Sequence, residues 1–265
     1  MEVGSNTRAL VSGASRGIGR ALAGAFARRG ATVGLAARSQ DELESLAAEL
    51  PGEHHPLPSD VGDRDSITAA VDRFAEQAGG LDVVVANAGI AHYQTFATAP
   101  IERAEEMTRI NWLGTLYTVH AALPHLLAQG SGHVVIVSSG AAVRSFPSAA
   151  VYGGTKAAQR MFAEALRHEL AGTGVSLTTV YPGEIATSLH DHEKATMPPW
   201  YRGGPNAASA DEMAEQVLSA IEADTRAVYF PGAVRLLGLM HGLSPRLSDL
   251  VLHRLRGSTA APRTD

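Results

Sequence analysis

Short apolar-centred runs alternate with amphipathic stretches along most of this chain. Thr7–Ser12, Ala31–Ala36, Leu81–Ala86, Val134–Ser138 and Val175–Tyr181 read as strands, with His54–Pro58 and Ala227–Phe230 as shorter ones. Leu81–Ala86 is almost wholly apolar, as expected of a strand covered on both faces. Between the strands lie helical patterns. Gly17–Arg29 sets Ile18, Leu22, Ala25 and Phe26 on one face, and Arg64–Ala78 does the same with Ile67, Val71 and Phe74. Asp41–Leu50, Val151–Ala171 and Asp211–Ala223 complete the set, with a long helix from Ile101 to Gln129 expected to bend near Pro124. This order predicts a three-layer α/β/α fold, a doubly wound, Rossmann-like parallel sheet with helices on both faces.

Two segments break the rhythm. Residues 188–210 hold three prolines, Trp200 and Tyr201, and read as an irregular flap over a pocket, with Leu189, Met197, Trp200 and Tyr201 as its apolar lining. Residues 232–256 form a C-terminal amphipathic helical extension in two pieces. The first carries Val234, Leu236, Leu237, Leu239 and Met240, the second Leu247, Leu250, Val251 and Leu255. Such a stripe packs on its own domain, on a subunit, or on a membrane surface, the first two being the commoner fates. Residues 1–256 read as one catalytic domain and 257–265 as a disordered tail.

Composition narrows the function classes. The chain has 265 residues, 45% hydrophobic and 18% charged, an ordinary globular balance. A formal charge of -5 gives no reason to expect nucleic acid. No cysteine is present, which removes disulfides, thiolate catalysis and iron–sulfur clusters. No apolar run reaches the ~18 residues of a membrane span, and Met1–Asn6 lacks a secretory pattern, so a cytoplasmic protein is expected. The close histidine groups, His54-His55 and His190-Asp191-His192, lack zinc spacing, and no metal is expected.

Chemistry concentrates after the strands. Ser12-Gly13-Ala14-Ser15-Arg16-Gly17-Ile18-Gly19 joins the first strand to the first helix. Glycines there permit a tight turn and close backbone approach, and the helix start offers free N–H groups to a pyrophosphate. The second strand leads to Arg38, where a guanidinium suits a ribose 2′-phosphate and a carboxylate would suit NAD; Arg16 can reach the same phosphate. Two plain surface arginines are the alternative. Asp41 and Glu42 fit the first turn of the next helix. Tyr152 and Lys156 stand four apart at the start of a helix, on one face. A neighbouring ammonium is expected to pull the phenol pKa down from ~10 and poise it for proton transfer. Lysine occurs only at 156 and 194 among 22 basic residues, so a lysine at this place is notable. Ser138-Ser139 end the preceding strand, at the sheet edge where ligands bind.

Together these residues resemble the short-chain dehydrogenase/reductase family in its single-domain branch, from about Thr7 to Thr187 and more weakly to about Gly232. The glycine loop is similar to that family's T-G-x-x-x-G-x-G, with Ser12 in the threonine's place. Asp60-Val61 resembles its adenine-contacting pair, Asn87-Ala88-Gly89 its N-A-G segment, and Pro182 to Thr187 its P-G-x-[IV]-x-T, which includes Gly183 and Ile185. Asn111, Ser139, Tyr152 and Lys156 fall on its four catalytic positions. The family's interval before the tyrosine selects Ser139, with Ser138 the fallback.

The resemblance implies hydride transfer between a nicotinamide cofactor and a carbonyl or secondary alcohol; Arg38 and Arg16 favour NADP(H) over NAD(H), and the apolar residues of the flap favour a hydrophobic substrate. Tyr152 would protonate the oxygen and Ser139 position it. Lys156 would lower the tyrosine pKa and bind the nicotinamide ribose, Asn111 would hold a relay water, and Thr187 would contact the carboxamide. It also implies a homo-oligomer, dimer or tetramer, though the extension replaces the usual chain end. A non-catalytic NADP(H) sensor or scaffold on the same fold is the competing class.

Overall fold

The computed structural model describes residues 1–187, 207–246 and 248–250. Within them, seven strands form one all-parallel sheet: β1 (Arg8–Ser12), β2 (Thr32–Ala37), β3 (His54–Pro58), β4 (Val83–Ala86), β5 (Gly132–Val137), β6 (Val175–Pro182) and β7 (Ala227–Phe230). Their spatial order is β3-β2-β1-β4-β5-β6-β7. The sequence order reverses between β1 and β4, where Val11 stands opposite Leu35 on one side and Val85 on the other. In such sheets ligands bind outside the carboxyl ends of the strands at that reversal.

Alternation within each strand explains the apolar runs. Ala9, Val11, Val83, Val85, Val135 and Val137 point to one face, where α1 (Gly17–Arg28) and α7 (Ala210–Glu222) cover them with Leu22, Phe26, Met213, Val217 and Ile221. Leu10, Val84, Val134 and Ile136 point to the other. There α3 (Arg64–Gln77), α5 (Gly114–Gln129) and α6 (Ala150–Glu169) supply Ile67, Phe74, Val119, Leu126 and Leu166. A strand with both faces covered has no polar side to show. The remaining helices are α2 (Gln40–Glu49), α4 (Ile101–Met107) and α8 (Ala233–Leu243).

The expected long helix differs from what forms. It runs as α4, a π-helical turn over Thr108–Leu113, and α5. Pro124 lies inside α5 on its exposed side, where the carbonyl that it frees can face water, so the distortion falls about three turns earlier than expected. The flap residues Leu189, Met197, Trp200 and Tyr201, the second piece of the extension apart from Ser248–Leu250, and 257–265 lie outside the described residues.

Candidate active site

The glycine loop is built by close contacts. Gly13 has φ +67°, and a β-carbon there would lie 2.9 Å from Ala88 Cα. At Gly19 a β-carbon would run into the Gly13 carbonyl oxygen and come within 2.6 Å of Asn87 Nδ2, so the helix start packs directly under the turn. Ser12 ties the loop to β4: its hydroxyl donates to the Val85 carbonyl (3.2 Å) and accepts from the N–H groups of Asn87 (3.0 Å) and Ala88 (3.2 Å). The Asn87 side-chain amide donates back to the Ser12 carbonyl at 2.9 Å. A hydroxyl is what the position needs, which is why serine serves in place of threonine. No side chain caps α1, and its first turn holds no acid, so the positive end of the helix is left to whatever enters beside Gly17 and Ile18.

A cavity of about 830 Å³ opens on this loop. Of the residues singled out in sequence, Gly13, Ser15, Arg16, Gly17, Ile18, Arg38, Asp60, Val61, Asn87, Ala88, Gly89, Ser139, Tyr152, Lys156, Pro182, Gly183, Ile185 and Thr187 line it. Gly19 and Asn111 do not; both are buried behind the wall. Arg16 and Arg38 are exposed at the rim, and among the described residues neither has an ion-pair partner. Glu42 lies in the same wall as Arg38, a position that helix-start reasoning did not give it. Sequence reading also missed Ile90, His92, Glu106 and Ile110. His92 Nε2 sits 3.3 Å from Glu106 Oε2, a pairing across two elements that no short motif signals.

The π turn accounts for Asn111, which is fully buried. Its Oδ1 accepts from Ile90 N–H (2.8 Å), and its Nδ2 donates to Ile90 O (2.9 Å) and Thr155 Oγ1 (3.2 Å). Its backbone carbonyl receives Gln159 Nε2 (2.8 Å) and Thr115 Oγ1 (2.8 Å). The side chain thus clamps the segment after Gly89 against α6. A β-carbon at Gly89 would be 3.2 Å from Asn111 Oδ1 and 3.5 Å from Lys156 Nζ, so backbone and ammonium meet there.

Tyr152 and Lys156 project from the first turns of α6 into the cavity. The lysine Nζ donates to the Val137 carbonyl at 3.0 Å and lies 5.9 Å from the tyrosine ring centroid. The ring rests edge-on against Tyr93 at 5.8 Å, which stacks on Phe146. Ser138, the fallback, donates to the Lys156 backbone carbonyl at 2.8 Å, so its hydroxyl is engaged in holding α6 to β5. Ser139 lines the cavity with Tyr152, and its side chain lowers the phenol's pKa.

The electrostatics correct one expectation. The phenol is pushed above its ordinary value by burial, with the Ser139 side chain pulling it only part of the way back. Lys156 itself is brought down to about 7 by burial. Taking both groups out of water disfavours both charges, and for the phenol burial is the largest effect.

The described elements fit a dinucleotide. The glycine cradle would be filled by any β-carbon, the helix start has no side-chain cap, and the cavity has the size for a bound cofactor. The family model of the short chain dehydrogenases matches residues 7–198. An uncharacterised oxidoreductase of Staphylococcus aureus is 34% identical over 190 residues, 71% of this chain and 82% of that protein. A glycine betaine reductase of Emericella nidulans is 39% identical over 184 residues, 68% of this chain but 14% of that much longer protein. An alcohol dehydrogenase of the archaeon Thermococcus sibiricus, solved with 5-hydroxy-NADP, superposes with a TM-score of 0.72 at 29% identity, covering 84% of this chain and 94% of that one.

Proposed function

This chain belongs to the short chain dehydrogenase family and is an oxidoreductase of that family, and from that premise we propose that it reduces a hydrophobic carbonyl compound with NADP(H), using Tyr152 as the proton donor. The observation that carries the reading is one buried phenol that shares a cavity with Ser139, Lys156 and the glycine loop.

The nicotinamide cofactor, when bound, supplies the hydride. The chain's own residues do the rest. Gly13, Ser15, Gly17 and Ile18 offer backbone to the pyrophosphate at the uncapped start of α1. Arg38 and Arg16 would hold the 2′-phosphate, Asp60 and Val61 the adenine, and Asn87, Ala88 and Gly89 the ribose. Pro182, Gly183, Ile185 and Thr187 would hold the nicotinamide. Ser139 orients the substrate oxygen toward Tyr152, whose raised pKa keeps it protonated at neutral pH and able to donate. Lys156 would hydrogen-bond the nicotinamide ribose and, brought down to about 7 by burial, can take up or release a proton behind the tyrosine. Asn111 would position Ile90 and α6 beside Lys156 and hold the relay water there.

Titrating the protein with NADPH and NADH tests the cofactor assignment. Arg38→Asp should weaken NADPH by roughly 10-fold to 100-fold and leave NADH within a few-fold, the loss expected for a charge-assisted phosphate contact. Equal effects on the two would contradict it. Glu42 in the adjacent wall supports NAD(H) as the second reading, because a carboxylate there accepts a ribose 2′-OH and repels a 2′-phosphate. The same titration separates the two.

A further inference from the structure

After β7 the chain enters α8, and the two sides of this helix meet different surroundings. On the inner side Val234 is buried so close to Gly140 and Gly183 that a β-carbon on either would lie 3.2 or 2.9 Å from its methyls. Gly238 abuts Val143, leaving no room for a side chain. Asp249, just beyond the helix, pairs with Arg144. These contacts fix α8 at the carboxyl edge of the sheet, against the loop that follows Ser139.

The outer side is apolar. Leu236, Leu239 and Leu243 are 60%, 58% and 87% exposed, and their spacing of three and four places them in one stripe. Leu250 is 50% exposed. Isolated exposed leucines need no explanation, but a stripe of them does. Arg235 and Arg246 are also exposed, and among the described residues neither has an ion-pair partner. The one carboxylate of residues 231–256, Asp249, is already held by Arg144, while the same stretch contains four arginines in a chain of net charge -5. The described part of this stretch therefore joins exposed leucines and two exposed arginines on an acidic protein.

We propose that α8 docks this protein on an anionic membrane surface, with Leu236, Leu239 and Leu243 entering the boundary between headgroups and acyl chains and Arg235 and Arg246 meeting lipid phosphates. Among the described residues no helix is long and apolar enough to cross a membrane, so the helix lies in the surface plane. A second copy of the chain fits the same patch less well. A two-fold contact through this stripe would bring like-charged arginines toward each other, with no free carboxylate in the patch to receive them.

Sedimentation of the full chain with vesicles tests this, using phosphatidylcholine alone and phosphatidylcholine mixed with phosphatidylglycerol. Binding to the anionic vesicles is expected, weakening as salt is added. The triple variant Leu236→Gln, Leu239→Gln, Leu243→Gln should lower partitioning roughly tenfold or more. Arg235→Gln with Arg246→Gln should remove the preference for phosphatidylglycerol. All five side chains are exposed, and unchanged urea unfolding checks that each variant folds. Failure of the wild type to sediment with the anionic vesicles overturns the proposal, as does binding that the leucine variant leaves intact. A wild-type dimer by light scattering that the leucine variant reduces to single chains, with no vesicle binding, would assign the stripe to a second copy instead.

Discussion

At the scale of single residues, the unusual feature is a lysine held almost dry. In an unfolded chain Lys156 takes a proton below about 10.5, whereas in the fold it does so only below about 7. Between those values the unfolded chain binds the extra proton, so stability rises with pH across the window. The lysine's contribution is fully present above about 10.5 and is lost as pH falls through about 7. The wild type should therefore gain up to ~1.4 kcal/mol per pH unit from this group between about pH 7 and about pH 9. Lys156→Met should lack that share in urea unfolding, and identical slopes in the two proteins would contradict the burial argument. At this scale the sequence was most informative. The glycines, the tyrosine, the lysine and the serine stand at fixed offsets, and all but Gly19 reach one cavity. What the sequence could not show is the balance of burial against charge, which reverses the expected direction of the phenol's shift.

At the scale of elements, function depends on places where regular structure is interrupted. The β1–α1 turn works because Gly19 lets the helix pack beneath Gly13. Gly19→Ala should destabilise the protein by about 1–3 kcal/mol, the usual effect of overpacking. It should also weaken NADPH at least about tenfold by displacing the loop, since Ser12 and Asn87 bind it to β4. Wild-type stability and NADPH affinity in that variant would mean that the turn has slack. The π turn at Thr108–Leu113 is the second interruption. Hydrophobic spacing shows a continuous helix through this region, because one extra residue in a turn barely disturbs the apolar pattern. The proline that signals a break in sequence is tolerated on the solvent side of α5. Strand and helix ends differ from expectation by only one or two residues in most cases, as fraying termini do.

At the scale of the whole molecule, seven parallel strands bring residues separated by more than a hundred positions to one edge of the sheet. The alternation of apolar runs and amphipathic stretches made that architecture legible. The contacts of α8 with the loop after Ser139 were not, because an amphipathic stripe does not say what it packs against. A ligand in the cavity would touch β2, β5, β6, α6 and the loops after β1 and β4 together, and should stabilise them as a unit. At a concentration about 100 times Kd, NADPH should add ~2.7 kcal/mol and raise Tm by roughly 5–10 °C. An unshifted melt would argue against a preformed dinucleotide site. The most direct test of the central claim follows NADPH absorbance with a panel of apolar ketones and aldehydes, for the wild type and for Tyr152→Phe. Turnover of at least one compound by the wild type is expected. A loss of about 100-fold to 10,000-fold in kcat is expected for the variant, with NADPH affinity retained. Turnover by Tyr152→Phe equal to the wild type's would contradict the account.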